Sequence, residues 1–153
     1  LVSDWSSDVC SSDLNKMVIC IDGDGSFNMT MNELATIAEY DIPVKIAIMN
    51  DSRQQMVYVW QELFFNSNFM STTNHNPDYN KLAESFGIKS IRCDNPYDLD
   101  QAVTEFINYK GPILANFIVE PDKCLPLVAP GKNLNEMILN DDEEILLTGE
   151  APN

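Results

Sequence analysis

The stretch "MVICIDGDGSFNMTMNELATIAEY", Met17 to Tyr40, decides the fold. An apolar run ends at an Asp-Gly-Asp-Gly turn, and a helical pattern follows at once. Met17–Ile21 reads as a buried strand. Thr30 and Glu33 stand at capping-box spacing, and Met31, Leu34, Ala35 and Ala38 fall on one helical face. The spacing therefore predicts a helix over Met31–Tyr40, stopped by Pro43. The same alternation recurs in "VKIAIMNDSRQQM", Val44 to Met56. Val44–Met49 reads as a second strand, and Met56, Val59, Trp60 and Leu63 mark a helix over about 54–64.

Further along, "NSNFMSTTNHN" is polar and reads as a loop. Asn76 followed by Pro77 predicts a capped helix start. Tyr79, Leu82, Ala83 and Phe86 give its buried face, and Gly87 its end. Ile88–Cys93 is a third strand. Asn95-Pro96 repeats the cap-and-proline start, with Leu99, Ala102, Val103 and Phe106 as the buried stripe. Ile113–Val119 is a fourth strand, apolar throughout. Strands alternating with helices, and apolar on both faces, predict an α/β fold: a parallel sheet with helices on both faces.

Composition bounds the function. The 153 residues are 44% hydrophobic, enough for a core. Nine basic residues against 24 acidic ones give a net charge of −15, which argues against a nucleic-acid partner. No apolar run approaches the roughly 20 residues of a membrane helix. Cys10, Cys20, Cys93 and Cys124 form no CxxC pair, so neither a zinc site nor a redox motif is indicated. Cys20, inside an apolar strand, reads as a buried thiol, and a reducing compartment fits best.

"DWSSDVCSSDL", Asp4 to Leu14, has no structural period and resembles a translated sequencing adapter. Residues 1–14 read as an artefact or disordered leader, with natural sequence starting near Asn15 and continuing upstream in the parent. Residues 15–122 then form the main domain. Residues 123–153 form a proline-rich, briefly helical tail expected to wrap the sheet and fray at its end.

Ligands of open parallel sheets sit beyond the carboxyl ends of the strands. Asp22 and Asp24 leave the first strand, and Asn50 and Asp51 leave the second. If the two strands are neighbours, Asp24 and Asp51 face one gap and repel, and a hard divalent cation relieves the repulsion. Magnesium accepts oxygen ligands and keeps positions for phosphate oxygens. Gly25 permits close backbone approach, Ser26 adds a hydroxyl, and the helix start favours an anion. The pair of turns reads as a magnesium–diphosphate clamp. Asp-Gly-Asp-Gly by itself is also compatible with a plain turn, and Asp22 reads as such. Asn28 stands where a Rossmann fingerprint needs its third glycine, and no P-loop follows.

Gly23-Asp24-Gly25 followed about 25 residues on by Asn50-Asp51 resembles the thiamine diphosphate motif. "GDGSFNMTMNELATIAEYDIPVKIAIMN", "MVYVWQELFF", "NPDYNKLAESFGIK" and "LPLVAPGKNLNEMI" resemble, in order, the carboxy-terminal thiamine diphosphate-binding domain of acetolactate synthase catalytic subunits. The resemblance covers about Met17 to Leu139. It implies metal ligation by Asp24, by Asp51 and by the backbone carbonyl of Arg53. It implies cofactor contacts from Gly23, Asp24, Gly25, Ser26, Asp51, Arg53, Gln54, Gln55 and Met56, and a substrate pocket at Met56 and Trp60. Asp51 departs from the family's usual Asn, a change that metal binding should survive with one more negative charge near the diphosphate; Gln55 departs from Gly and Val59 from Gln beside the substrate pocket, which puts the substrate in doubt. By spacing alone, Met56 and Trp60 also fit a buried helical stripe. His75 reads as a solvated loop residue.

The implied reaction is decarboxylation of pyruvate and transfer of its two-carbon unit to a second 2-oxo acid, in branched-chain amino acid biosynthesis. The implied cofactors are thiamine diphosphate and Mg2+, with FAD held mainly by upstream domains. A glutamate of a partner subunit activates the family's cofactor, so no catalytic residue is assigned here, and the chain by itself is expected to be inactive and to bind cofactor weakly or not at all. A homo-oligomeric parent, a regulatory subunit and a cytoplasmic or organellar location also follow from the resemblance. The alternatives are another thiamine diphosphate-dependent decarboxylase or carboligase, and a receiver-like Mg-binding signalling domain. The latter would need a late-strand lysine, for which Lys123 is a poor candidate.

Overall fold

A computed structural model describes residues 16–123 and 125–139. The leader expected over 1–14, the end expected to fray, Cys10 and Cys124 lie outside the described residues. The chain divides into two units: residues 16–52 with 75–120, and residues 53–74 with the described part of the segment after 120.

The first unit is built on four strands, β1 (Val18–Gly23), β2 (Val44–Asn50), β3 (Lys89–Cys93) and β4 (Ile113–Ile118). All pairings are parallel, and the spatial order is β1-β2-β4-β3. Its helices are α1 (Asp24–Thr30), α2 (Leu34–Glu39), α4 (Tyr79–Ser85) and α5 (Leu99–Asn108). The second unit carries α3 (Gln55–Phe64) and a short antiparallel pair, β5 (Leu127–Val128) with β6 (Met137–Ile138).

The sheet is buried on both faces because its central strands alternate between two cores. Ile46, Ile48 and Leu114 pack with Phe27, Leu34, Tyr79, Ala83 and Ile88 beneath α1, α2 and α4. Ala47, Ile113, Ala115 and Phe117 pack with Ala102 and Phe106 of α5 on the other side. The two-residue period sends neighbours to opposite faces. Each fully buried aliphatic side chain contributes about 1.5–3 kcal/mol, so β2 and β4 anchor the unit.

Several expectations change. β1 is the edge strand: Ile19 and Ile21 are exposed, and Cys20 is an exposed thiol rather than a buried one. An apolar run reports β-propensity but not position within the sheet. The first helix starts at Asp24, directly after β1, and passes through a 3-10 turn over Met31–Glu33 before α2. The capping box at Thr30 is not made; Glu33 instead accepts from Asn32 and Thr36. The side chain capping α4 is that of Asp78, which accepts from the Lys81 amide at 3.2 Å. Asn76 is therefore not the helix cap. Asn95 does cap its turn, accepting from the Tyr97 amide. Phe86, Leu99 and Val103 are half exposed, so the stripes of α4 and α5 are narrower than their periodicity indicates.

In the second unit, the polar loop after α3 folds back on that helix. Gln61 accepts from the Met70 amide at 2.7 Å and donates to the Met70 carbonyl at 3.1 Å. Tyr58 and Phe69 stack at 4.2 Å, and Arg53 and Thr73 form an isolated antiparallel bridge. The tail contains a 3-10 turn over Leu134–Glu136, closed by an Asn133–Glu136 capping box. Among the described residues, no helix is long and apolar enough to cross a membrane.

Candidate functional site

The register of β1 on β2 pairs Asp22 with Ile48 and Gly23 with Met49. Asp24 and Asn50 therefore leave adjacent strands at one level, with Asp51 next in line. Neighbouring strands lie about 4.8 Å apart, so the two turns share the carboxyl rim, as the sequence predicts for neighbouring strands.

Asp24 opens α1 and is 1% exposed; Asn50 closes β2 at 8%. One side chain joins them. Asn76 Nδ2 donates to Asp24 Oδ2 at 2.6 Å and to Asn50 Oδ1 at 3.0 Å. Its own Oδ1 accepts from Asn28 Nδ2 at 2.9 Å. Tyr79 Oη lies 2.8 Å from Asn28 Oδ1 and 3.2 Å from the Asp24 carbonyl. Asn50 Nδ2 donates to Asn116 Oδ1 of β4 at 3.1 Å, while Asn50 Oδ1 also accepts from the amide and hydroxyl of Ser52. The network spans α1, β2, β4 and the start of α4.

Burial pushes the Tyr79 phenol up to about 12, with the charges of Asp24 and Asp22 adding to the shift and the Asn28 contact opposing it. The phenol thus stays a neutral donor through the physiological range. The hydrogen bond to Asp24 Oδ2 comes from a neutral amide, which orients the carboxylate without cancelling its charge.

These donors fit a hard cation. Among the described residues no group of three His, Cys, Asp or Glu side chains could hold a metal. What the rim offers is a buried carboxylate, a second carboxylate one residue past Asn50, and backbone oxygens. Such a set suits an ion that retains water and phosphate oxygens, as magnesium does.

The other predicted residues fall in two places. Gly23 ends β1, and Gly25 is buried in the first turn of α1. Ser26 is exposed, and its hydroxyl donates to Asp22 Oδ1, which also accepts from the Gly23 amide at 2.9 Å. Asp22, near the end of β1, thus bonds the start of α1 rather than the Asn76 network. Arg53, Gln54, Gln55, Met56 and Trp60 belong to the second unit. There the Arg53 guanidinium lies 4.3 Å from the Tyr58 ring centroid, and Gln54 donates its amide to the Thr72 carbonyl. Gln55 Nε2 donates to the Asp122 carbonyl, while Gln55 Oε1 is buried with no hydrogen-bond partner. Val59 is buried, as an apolar residue replacing a polar one can be, whereas Met56 is 60% exposed and does not belong to a buried stripe. Trp60 meets Phe64 edge to face at 5.3 Å. His75 is exposed.

Sequence reasoning missed Asn76, Asn28, Tyr79 and Asn116 as site residues. The signal for Asn76 was ambiguous, since Asn-Pro is also a helix start. An asparagine inside the otherwise apolar β4 was the clearer clue, because a buried amide needs a partner.

The family described as thiamine pyrophosphate enzyme, C-terminal TPP binding domain, matches residues 9–117. The acetolactate synthase large subunit of Pyropia yezoensis is 45% identical over 127 residues, covering 81% of this chain and 22% of that protein. The mitochondrial acetolactate synthase catalytic subunit of Saccharomyces cerevisiae is 45% identical over 130 residues, covering 83% and 19%. A probable acetolactate synthase large subunit of Methanococcus aeolicus is 45% identical over 122 residues, covering 79% and 20%. The chain spans about a fifth of the length of the curated relatives it matches. The chain belongs to the thiamine pyrophosphate enzyme family, as its C-terminal cofactor-binding domain.

Proposed function

We propose that this domain is the metal–diphosphate clamp of a thiamine diphosphate-dependent carboligase of acetolactate synthase type. The observation that carries the reading is the convergence of Asp24 and Asn50 at one rim, fastened by Asn76. Asp24 and Asp51 hold Mg2+ by their carboxylates and Arg53 by its carbonyl, and Gly23, Gly25, Ser26, Gln54, Gln55 and Met56 line the cofactor. When bound, thiamine diphosphate supplies the electron sink that lets pyruvate lose carbon dioxide and pass its two-carbon unit to a second 2-oxo acid.

The chain's own residues bind and orient. Asp24 supplies fixed negative charge where a divalent ion offsets the diphosphate. Tyr79 and Asn28 keep that region hydrogen-bonded and closed to water. Met56, exposed on α3, and Trp60 are assigned to the substrate pocket. FAD, the homo-oligomeric contacts and any regulatory subunit are assigned to the parent, in the cytoplasm or in an organelle, as the mitochondrial name of the yeast relative suggests.

Calorimetry with thiamine diphosphate and Mg2+ tests the clamp. The expected outcome is weak metal-dependent heat in the unmodified chain and its loss in Asp24→Ala, which lacks the charged ligand. Equal heats from the two proteins would refute it.

A further inference from the structure

We infer that Asn76 is a positioning residue of the metal site, which orients Asp24 and ties it to the end of β2. The inference rests on the clamp reading above and adds a residue that binds neither metal nor cofactor.

The geometry leaves the amide no slack. An asparagine amide offers two N–H donors and a carbonyl acceptor. Here both donors and the acceptor are engaged, by Asp24, Asn50 and Asn28. Its orientation is forced: turned by 180°, the amide would set its oxygen against Asp24 Oδ2 and its nitrogen against another N–H donor. The contact to Asp24 is short and charge-assisted, the stronger kind. The partners lie 52, 26 and 48 residues away in sequence, two on α1 and one at the end of β2, so one side chain ties both elements to the segment before α4.

Local chemistry does not account for this placement. The chain already has a cap for α4 in Asp78, two residues on. Asn76 is thereby released from capping and points at the rim instead. It stands where the chain re-enters the first unit after residues 53–74. Behind it, Asn28 and the fully buried Tyr79 form a strut that stops the amide from rotating. Groups that orient a metal ligand without touching the metal commonly change affinity by about 10–100-fold when removed.

The test is a titration of the full chain with Mn2+, with and without thiamine diphosphate, read by the electron paramagnetic resonance of free Mn2+ and paired with thermal unfolding. Asn76→Ala is expected to lower Mn2+ affinity by about 10–100-fold. Asp78→Ala, which removes the cap of the same helix, is expected to lower the melting temperature by a similar amount while leaving Mn2+ affinity at the unmodified value. Asn28→Ala, which removes the strut, is expected to lower affinity by less than Asn76→Ala, and it serves alone if Asn76→Ala does not fold. The inference is overturned if Asn76→Ala binds Mn2+ like the unmodified chain, or if Asp78→Ala loses as much affinity. With Asn76→Ala unfolded, an unchanged affinity in Asn28→Ala overturns it. Absence of Mn2+ binding to both the unmodified chain and the parent enzyme that carries it overturns the clamp reading along with it; where only the parent binds, the same variants are read there, and binding that ignores Asn76 overturns the positioning role alone.

Discussion

The carboxyl rim of the sheet is built in two ways. Over β1 and β2 it is polar and closed: Asp24, Asn50, Asn76 and Asn116 bond one another, with Asp24 and Asn116 almost wholly withdrawn from water. Over β3 and β4 it is apolar and open, a cavity of about 490 Å3 whose lining includes Cys93, Asn95, Leu99, Phe117, Val119 and Glu120. The difference shows what burying charge requires. Buried polar groups are costly unless each finds a partner, so a site for charge needs a network that fixes every dipole beforehand. A mostly apolar crevice, with Asp94, Asn95 and Glu120 among its lining, needs none.

Three changes probe that contrast. Tyr79→Phe attacks the polar half. It removes the hydroxyl beside Asn28 and the Asp24 carbonyl and is expected to cost about 1–3 kcal/mol in denaturant unfolding at neutral pH. The phenol ionises near 10 when unfolded and near 12 in the fold. The folded state therefore holds the proton longer, and stability falls as pH rises from about 10 to about 12. Tyr79→Phe is expected to lack that phenol-dependent fall, and an unaltered alkaline slope would show that the buried network does not control the phenol. Asp51→Asn restores the residue usual in the family. Metal affinity is expected to survive within about tenfold, since either side chain offers an oxygen, with weaker salt dependence from the lost charge; calorimetry at two ionic strengths reads both. Leu99→Ala touches only the open half. With 44% of Leu99 already exposed, it is expected to cost under about 1 kcal/mol and to leave Mn2+ affinity unchanged. A change there would mean that the two halves of the rim are coupled.

Lys45 supplies a further contrast, at the opposite end of the sheet. It is buried in β2, and its ammonium donates to the Tyr109 carbonyl. Burial, with Lys110 nearby, pushes its pKa below the ordinary value of 10.5. The unfolded chain therefore binds this proton more readily than the fold does. Its contribution to stability rises with pH from the lowered folded value up to about 10.5, opposite in sign to that of Tyr79. At this end a single amine meets one carbonyl, and no chain of amides links neighbouring strands through it.

The residues fix some of this protein without reference to its fold. Apolar runs broken by Gly, Pro and Asn punctuation place four strands within a residue or two of where they lie, and the near-continuous apolar character of β2 and β4 requires helices on both faces. The acidic turns after β1 and β2 declare a rim chemistry as soon as those strands are neighbours. Other facts depend on contacts between distant residues. The order β1-β2-β4-β3 leaves β1 at the edge and Cys20 in water, although its run reads like that of a buried strand. Asn76 has the local chemistry of a helix cap, but Asp78 takes that role and a carboxylate 52 residues away takes Asn76. Propensity and periodicity are properties of a short window of chain. A hydrogen-bond partner, or a place in a sheet, is settled only when the whole chain has closed and each buried polar group has found the best donor or acceptor within reach.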